Sequence, residues 1–333
     1  MPNNARRDHR LPHLIRIIAV TPSKKPAIDK AALIIADWGT TRCRAMLLDR
    51  EGALLAEAES TDGIGALGGE GHEAAFERLT GAWPRLPVLM AGMVGSRQGW
   101  REAAYVPVPC DSAALAKGLL RFEDASHRPI AIVPGLVLRS AERDGDVMRG
   151  EETQLIGLMD EEPDFDGIAI LPGTHSKWAA VGKGTIGAFQ TFMTGEMFDL
   201  TARKSFLRHS VSEGADNLAG SPHFELAVHR TTREGLPFLA AIFSVRARQL
   251  LLGVSGNDNL AYLSGLVIGG EIAAARQAGL LDAGAPIRII GSRALGEAYE
   301  EAFAIAGHAA AMRDGSMLVR RGLVRIAEAN GLL

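Results

Sequence analysis

Two continuous apolar runs, Leu33–Ala36 and Ile168–Leu171, have the length and character of buried strands. Each turns on glycine into small hydroxyl residues, as Asp37-Trp38-Gly39-Thr40-Thr41 and as Pro172-Gly173-Thr174-His175-Ser176-Lys177-Trp178. After the first turn, Arg42–Leu48 alternates so that Cys43, Ala45 and Leu47 share a face, which predicts a hairpin with Leu33–Asp37. Leu54–Ser60 predicts a third strand, and His72–Leu79 a helix with Ala75, Phe76 and Leu79 on one side. Val88–Met90 reads as a short strand running into the glycine-broken stretch 91–100, and Ile130–Val133 as a strand stopped by Pro134-Gly135. Glu152–Met159 reads as a helix after Arg149-Gly150-Glu151. In the second half, Trp178–Val181 and Ile186–Thr191 predict a hairpin around Gly182-Lys183-Gly184. A mainly helical stretch from Glu196 to about Gly279 follows, then strand Ile287–Ile290, a Gly291-Ser292 turn and helix Leu295–Ile305. Each half opens with a strand, a Gly-Thr turn and a returning strand. This duplicated topology predicts two α/β lobes around a cleft.

Composition sets the limits. A chain of 333 residues with 47% hydrophobic content can bury two cores. The expected division is a flexible extension over 1–30, an N-terminal lobe over 31–162 and a C-terminal lobe over 163–333. The first thirty residues are basic, briefly apolar at Leu14–Val20, then polar, a poor match to a signal peptide. A net charge of −3 with both signs interspersed excludes a nucleic-acid surface from the expectation. Cys43 and Cys110 are too few for a disulfide framework or zinc site, so a cytoplasmic location is expected, with Cys43 as a small buried hydrophobe. No apolar run approaches the ~20 residues that cross a bilayer, so no membrane partner is expected.

The turns carry the candidate chemistry. Glycine lets backbone amides approach an anion, and threonine hydroxyls add donors. A carboxylate beside such a turn suits Mg²⁺ held next to phosphate oxygens. One Asp-x-Gly-Thr turn also ends ordinary strands; two turns in two halves suggest a phosphate loop on each wall of a cleft. Phosphoryl transfer needs Mg²⁺, backbone donors and a group that orients or deprotonates the acceptor hydroxyl.

Several blocks resemble the 2-dehydro-3-deoxygalactonokinase family, sugar-acid kinases of the actin/hexokinase/Hsp70-type ATPase fold. They are Asp37–Thr41, Met90–Ser96, Val147–Gly157, Pro172–Trp178 and Phe192–Glu196, and the resemblance runs from about Leu33 to the C-terminus. It implies a two-lobed α/β fold and transfer of the ATP γ-phosphate to the C6 hydroxyl of 2-dehydro-3-deoxy-D-galactonate. Within that frame Asp37 is the catalytic metal-side carboxylate, Gly39, Thr40 and Thr41 line one phosphate loop, and Gly173 and Thr174 line the other. His175 and Lys177 reach ATP phosphate or the substrate carboxylate, or His175 serves as a structural hydrogen-bonder. By position Glu151 matches the aspartate base of related sugar kinases, with Glu152 leaving the choice of carboxylate open; both also suit the positive end of a helix. Arg149 is the expected grip on the substrate carboxylate, with Gly95, Ser96 and Trp100 as further sugar contacts. Trp38 is an apolar wall or core. Gly291-Ser292 resembles the adenosine-side turn, and Gly269-Gly270-Glu271 either approaches the nucleotide or packs helices. Thr194-Gly195-Glu196 helps close the cleft and is assigned no chemistry.

The expected cofactors are ATP and Mg²⁺, the partner is a small sugar acid, and a homodimer is compatible with the sequence. A same-fold kinase for another sugar acid would share every phosphate feature. A nucleotide-binding sensor would keep the turns without needing Glu151 or Arg149. A dinucleotide-dependent oxidoreductase is disfavoured, because no Gly-x-Gly-x-x-Gly lies between a first strand and its helix.

Overall fold

The computed structural model describes residues 15–18, 28–67, 71–140, 144–214, 218–281 and 284–333. In chain order its strands up to Val133 are β1 (Ile15–Ile18), β2 (Ala31–Trp38), β3 (Cys43–Asp49), β4 (Leu54–Ser60), β5 (Val88–Ala91), β6 (Tyr105–Pro107), β7 (Leu120–Glu123) and β8 (Pro129–Ile132). Beyond it lie β9 (Gly135–Leu138), β10 (Asp146–Met148), β11 (Gly167–Leu171), β12 (Ser176–Gly182), β13 (Thr185–Phe192), β14 (Ile287–Gly291) and β15 (Ala310–Asp314). One structural unit takes Met1–Ala104, Leu115–Gly135 and Ile326–Leu333, and the other Tyr105–Ala114 and Leu136–Arg325.

The first unit is built on a sheet of order β1-β4-β3-β2-β5-β8-β7. Strands β2, β3 and β4 form an antiparallel meander, while β5 runs parallel to β2 and β8 parallel to β5. The main sheet of the second unit has order β13-β12-β11-β14-β15. There β11, β12 and β13 form the meander, β14 runs parallel to β11 and β15 parallel to β14. Counted from the first strand of each meander, both sheets contain the order 3-2-1-4-5. The duplication that the two turns suggested is therefore a duplication of sheet topology, the actin/hexokinase/Hsp70-type arrangement.

The burial of each first strand explains its continuous apolar run. Leu33–Ala36 have no exposed surface, because β2 sits between two neighbours and is covered on both faces. Ile34, Ala36, Trp38, Cys43, Ala45 and Leu47 form the core of the first unit with Phe76 of helix His72–Thr80. Trp38 belongs wholly to this core, and its Nε1 donates to the Asp62 carbonyl at 2.7 Å; it offers no wall to a ligand. In the second unit Ile170, Trp178, Ile287 and Ile289 pack against Phe224, Val228, Ile272 and Phe303 of the covering helices. Helices Pro222–Thr232 and Gly256–Gln277 cross closely, since a Cβ at Gly265 would meet the Phe224 carbonyl at 2.5 Å and one at Gly269 would collide with Thr231 Oγ1. Gly269 and Gly270 thus pack helices, the plainer of their two expected roles.

The units differ from the expected division in several places, Tyr105–Ala114 and Ile326–Leu333 among them, and two of the differences have plain physical causes. Residues 136–162 pack with the second unit: β9 and β10 pair with each other, and Gly157 of helix Glu151–Glu161 lies against the Leu318 backbone so closely that a Cβ would collide with it. Of the expected extension 1–30, Ile15–Ile18 pairs antiparallel with β4 and Ile28–Lys30 forms a 3-10 turn. The rest of that extension lies outside the described residues.

Candidate active site

In each unit the glycine turn sits at the carboxyl end of a strand paired in parallel with a neighbour, β2 with β5 and β11 with β14, where open α/β sheets leave room for ligands. Strand β2 delivers Asp37 opposite Arg44 of β3 and Ala91 of β5. Gly39 closes the turn by donating its amide to the Arg42 carbonyl at 2.9 Å, which leaves Thr40 and Thr41 exposed. The segment after β4 crosses this turn as a strap: Ile64 N donates to Gly39 O and Gly65 N to Thr40 O, each at 3.0 Å. A Cβ at Gly63 would collide with the Thr40 carbonyl, so glycine permits the approach. Gly92, at φ +96°, comes similarly close: a Cβ there would meet Trp38 O at 2.8 Å and Asp37 Oδ1 at 3.2 Å.

The second turn repeats the construction. Gly195 N donates to Gly173 O at 3.2 Å and Glu196 N to Thr174 O at 3.0 Å, from the segment that follows β13. A Cβ at Gly195 would collide with the Gly173 carbonyl. In a trans peptide the C=O and the following N–H point in opposite directions. Carbonyls drawn into the straps therefore aim the amides of Thr40 and Thr41, and those of Thr174 and His175, away from the straps. Both turns present paired N–H groups suited to an anion.

Around the second turn lies a charged cluster. Glu151 and Glu152 open helix Glu151–Glu161. The Glu151 side chain is 25% exposed, its Oε1 lies 3.2 Å from Lys177 Nζ, and its Oε2 accepts from Arg149 N at 3.1 Å. Lys177 is buried and also donates to the His175 carbonyl at 2.8 Å, so its ammonium ties the turn to Glu151. Glu152 has no exposed surface and accepts from Gly150 N at 2.6 Å and Thr153 Oγ1 at 3.2 Å. Burial, with the charge of Glu151 second, pushes its pKa up to about 8. The Arg149 guanidinium lies 4.5 Å from the centroid of the Tyr105 ring. His175 is exposed and its Nε2 lies 2.6 Å from Glu196 Oε2. Gly291 and Ser292 end β14 beside this turn: a Cβ on Gly291 would stand 3.8 Å from Pro172 Cδ.

The structure thus brings Arg149, Glu151, Gly173, Thr174, His175, Lys177, Gly291 and Ser292 together in one unit, with Asp37, Gly39, Thr40, Thr41, Gly95, Ser96 and Trp100 in the other. Ser96 is buried, and its Oγ has no hydrogen-bond partner among the described residues. Trp100 is half-buried in an aromatic cluster, edge-on to Trp38 at 6.3 Å and to Phe122 at 5.6 Å. Among the described residues no group of three or more His, Cys, Asp or Glu could hold a metal by itself. A single carboxylate beside a phosphate turn fits Mg²⁺, which takes one or two carboxylates and completes its octahedron with phosphate oxygens and water.

Sequence reasoning missed the first strap, gave Thr194-Gly195-Glu196 no contact with the second turn, and placed Glu271 only within a segment that approaches the nucleotide or packs helices. This buried carboxylate accepts from Ser176 Oγ at 2.7 Å, Trp178 Nε1 at 2.6 Å, Tyr299 OH at 2.7 Å and Thr194 Oγ1. A signal was present: one acid inside the apolar run Leu260–Ile272 must find donors once that helix is buried.

Duplicated 3-2-1-4-5 sheets, each ending its first strand in a strapped Gly-Thr turn, define a protein of the actin/hexokinase/Hsp70-type ATPase fold. A family model described as 2-keto-3-deoxy-galactonokinase matches residues 37–326, and the chain belongs to that family, which makes it a sugar kinase. It is 39% identical over 297 residues to a Rhizobium meliloti (strain 1021) protein named as a probable 2-dehydro-3-deoxygalactonokinase, covering 88% of this chain and 95% of the relative. The Escherichia coli (strain K12) 2-dehydro-3-deoxygalactonokinase is 33% identical over 307 residues, covering 90% and 98%. A crystal structure of a Sinorhizobium meliloti protein assigned the same activity superposes with a TM-score of 0.84 at 38% identity, covering 89% and 98%.

Proposed function

We propose that this chain transfers the γ-phosphoryl group of ATP to the C6 hydroxyl of 2-dehydro-3-deoxy-D-galactonate, giving the 6-phosphate. The observation that carries the reading is the Glu151–Lys177 pair beside the strapped Gly173-Thr174 turn, in a chain of this family. The hydroxyl proton passes to Glu151 as the C6 oxygen bonds to the γ-phosphorus and the bridging oxygen leaves with ADP. Glu151 suits the base because part of it faces solvent and the Lys177 ammonium, 3.2 Å away, holds its carboxylate beside the turn. Glu152, fully buried, supports the helix start instead.

Asp37 would hold Mg²⁺, which would neutralise charge on the transferring phosphates when bound. The amides of the two turns and the Thr40, Thr41 and Thr174 hydroxyls supply the donors. Arg149, stacked on Tyr105, grips the sugar-acid carboxylate; within the first unit, Gly95, Ser96 and Trp100 are the candidates for sugar contacts. His175, held by Glu196, serves the phosphates. The Gly291-Ser292 turn receives the adenosine. We place the reaction in the cytoplasm, where ATP is supplied; Cys43 and Cys110 are both free thiols.

ADP release by purified protein with Mg-ATP tests the reading, offering the galacto acid and its gluco epimer side by side. Turnover with the galacto acid is expected. ATP binding without turnover on it would overturn the substrate assignment.

A further inference from the structure

We propose that Glu271 is a positioning residue for the second phosphate turn, and that Thr194-Gly195-Glu196 is a working part of that turn. The inference rests on reading the Gly173-Thr174 turn as a phosphate loop.

Glu271 lies in helix Gly256–Gln277, and each of its carboxylate oxygens serves two donors. Oε1 accepts from Ser176 and Trp178, and Oε2 accepts from Tyr299 and Thr194. The acceptor sites are thereby filled, which is what burial of this group requires. Two of the four donors flank the turn. Ser176 directly follows His175 at the start of β12. Thr194 begins helix Thr194–Asp199, whose next two amides, those of Gly195 and Glu196, are the strap on Gly173 and Thr174. On the other side His175 Nε2 meets Glu196 Oε2. A closed ring results, running from Glu271 to Ser176, His175, Glu196, Gly195, Thr194 and back to Glu271. Inside that ring the Gly173 and Thr174 carbonyls are held toward the strap, and the amides of Thr174 and His175 are held away from it. Removing the Thr194 bond frees the strap to shift, and the amides lose the shared aim that an anion site needs.

Tyr299 supplies the control, because it donates to the same Oε2 from helix Arg293–Ala306 without belonging to the ring. Thr194→Val and Tyr299→Phe each delete one hydroxyl donor to one carboxylate. Gly173→Ala tests the underlying reading independently: a Cβ there meets nothing of the protein within 4 Å, so the turn can keep its shape while the methyl fills space that a phosphate bound against the turn would need, and a raised KM for ATP is expected. Steady-state kinetics with both substrates, alongside thermal melts, decide the matter. Thr194→Val is expected to raise KM for ATP about tenfold with KM for the sugar acid unchanged. Thr194→Ser is expected to restore it, and Tyr299→Phe to lower the melting temperature while leaving both KM values alone. If Thr194→Val does not fold, Ser176→Ala removes the other turn-side donor and carries the same expectation. Equal KM changes in Thr194→Val and Tyr299→Phe, or a Thr194→Val effect on both substrates alike, would reduce Glu271 to general stability and overturn the inference. A normal KM for ATP in Thr194→Val beside a raised one in Gly173→Ala would overturn it while sparing the phosphate reading. A normal KM in Gly173→Ala would overturn the phosphate reading itself.

Discussion

Glu151 and Glu152 are chemically identical neighbours that the fold makes different. Residue 151 points to a lysine and keeps a quarter of its side chain in solvent, while residue 152 is enclosed and its acid form is favoured up to about pH 8. The linkage sign follows from the raised value. Between the unfolded pKa of about 4.5 and the folded pKa of about 8, the native state holds a proton that the unfolded chain has released. Stability from this group is therefore full below that window and is lost as pH rises through it. Glu271 adds to the same trend, its pKa raised by burial. Urea unfolding at several pH values should show Glu152→Gln with a flatter pH dependence than wild type and greater relative stability at the alkaline end; an identical slope would show that Glu152 is ionised throughout. Glu151→Gln should cut kcat about a hundredfold or more while the nucleotide still binds. Asp37→Asn should lower turnover by a similar factor and weaken its dependence on Mg²⁺ concentration, and Mg²⁺ titrations of initial rate check this. Arg149→Ala should raise KM for the acid about tenfold or more with little change in KM for ATP, as loss of a charged bidentate contact requires.

At the scale of elements, glycine marks where two backbones come close. Gly63 and Gly195 let the straps reach the turns, and Gly265 and Gly269 let two helices cross. Gly269→Leu should destabilise the protein by about 1–3 kcal/mol, measured by denaturant unfolding, because the added side chain must displace Thr231 and the helix behind it. The strands of the two meanders were readable in the sequence, since Leu54–Ser60 and Ile168–Leu171 carry their own apolar patterns. Helix His72–Thr80 likewise showed its buried face in Ala75, Phe76 and Leu79. Strands β6, β10 and β15 escaped notice because their patterns are short and half-exposed. Helix Gly315–Ala329 closes the chain with a stripe of Leu318, Leu323 and Ile326, a periodic signal that was present and went unread.

Over the whole molecule, the repeated 3-2-1-4-5 order shows which strands each unit needs. Strand β1 lies outside that order, on the edge of the first sheet beside β4. Deleting residues 1–27 should leave kcat unchanged while uncovering the β4 edge, with a rise in aggregation on concentration seen by light scattering. Loss of turnover in that variant would place β1 in the working unit. The sequence by itself determined the two first strands, the glycine-hydroxyl turns and the family, because each of these is written in a few contiguous positions. Only the tertiary structure decided that Trp38 is core, that Lys177 meets Glu151, that Glu152 is enclosed and that Glu271 accepts from Ser176 and Thr194 beside the second turn. Those facts depend on which distant segments meet, and burial and hydrogen-bond supply are properties of the meeting rather than of any residue alone.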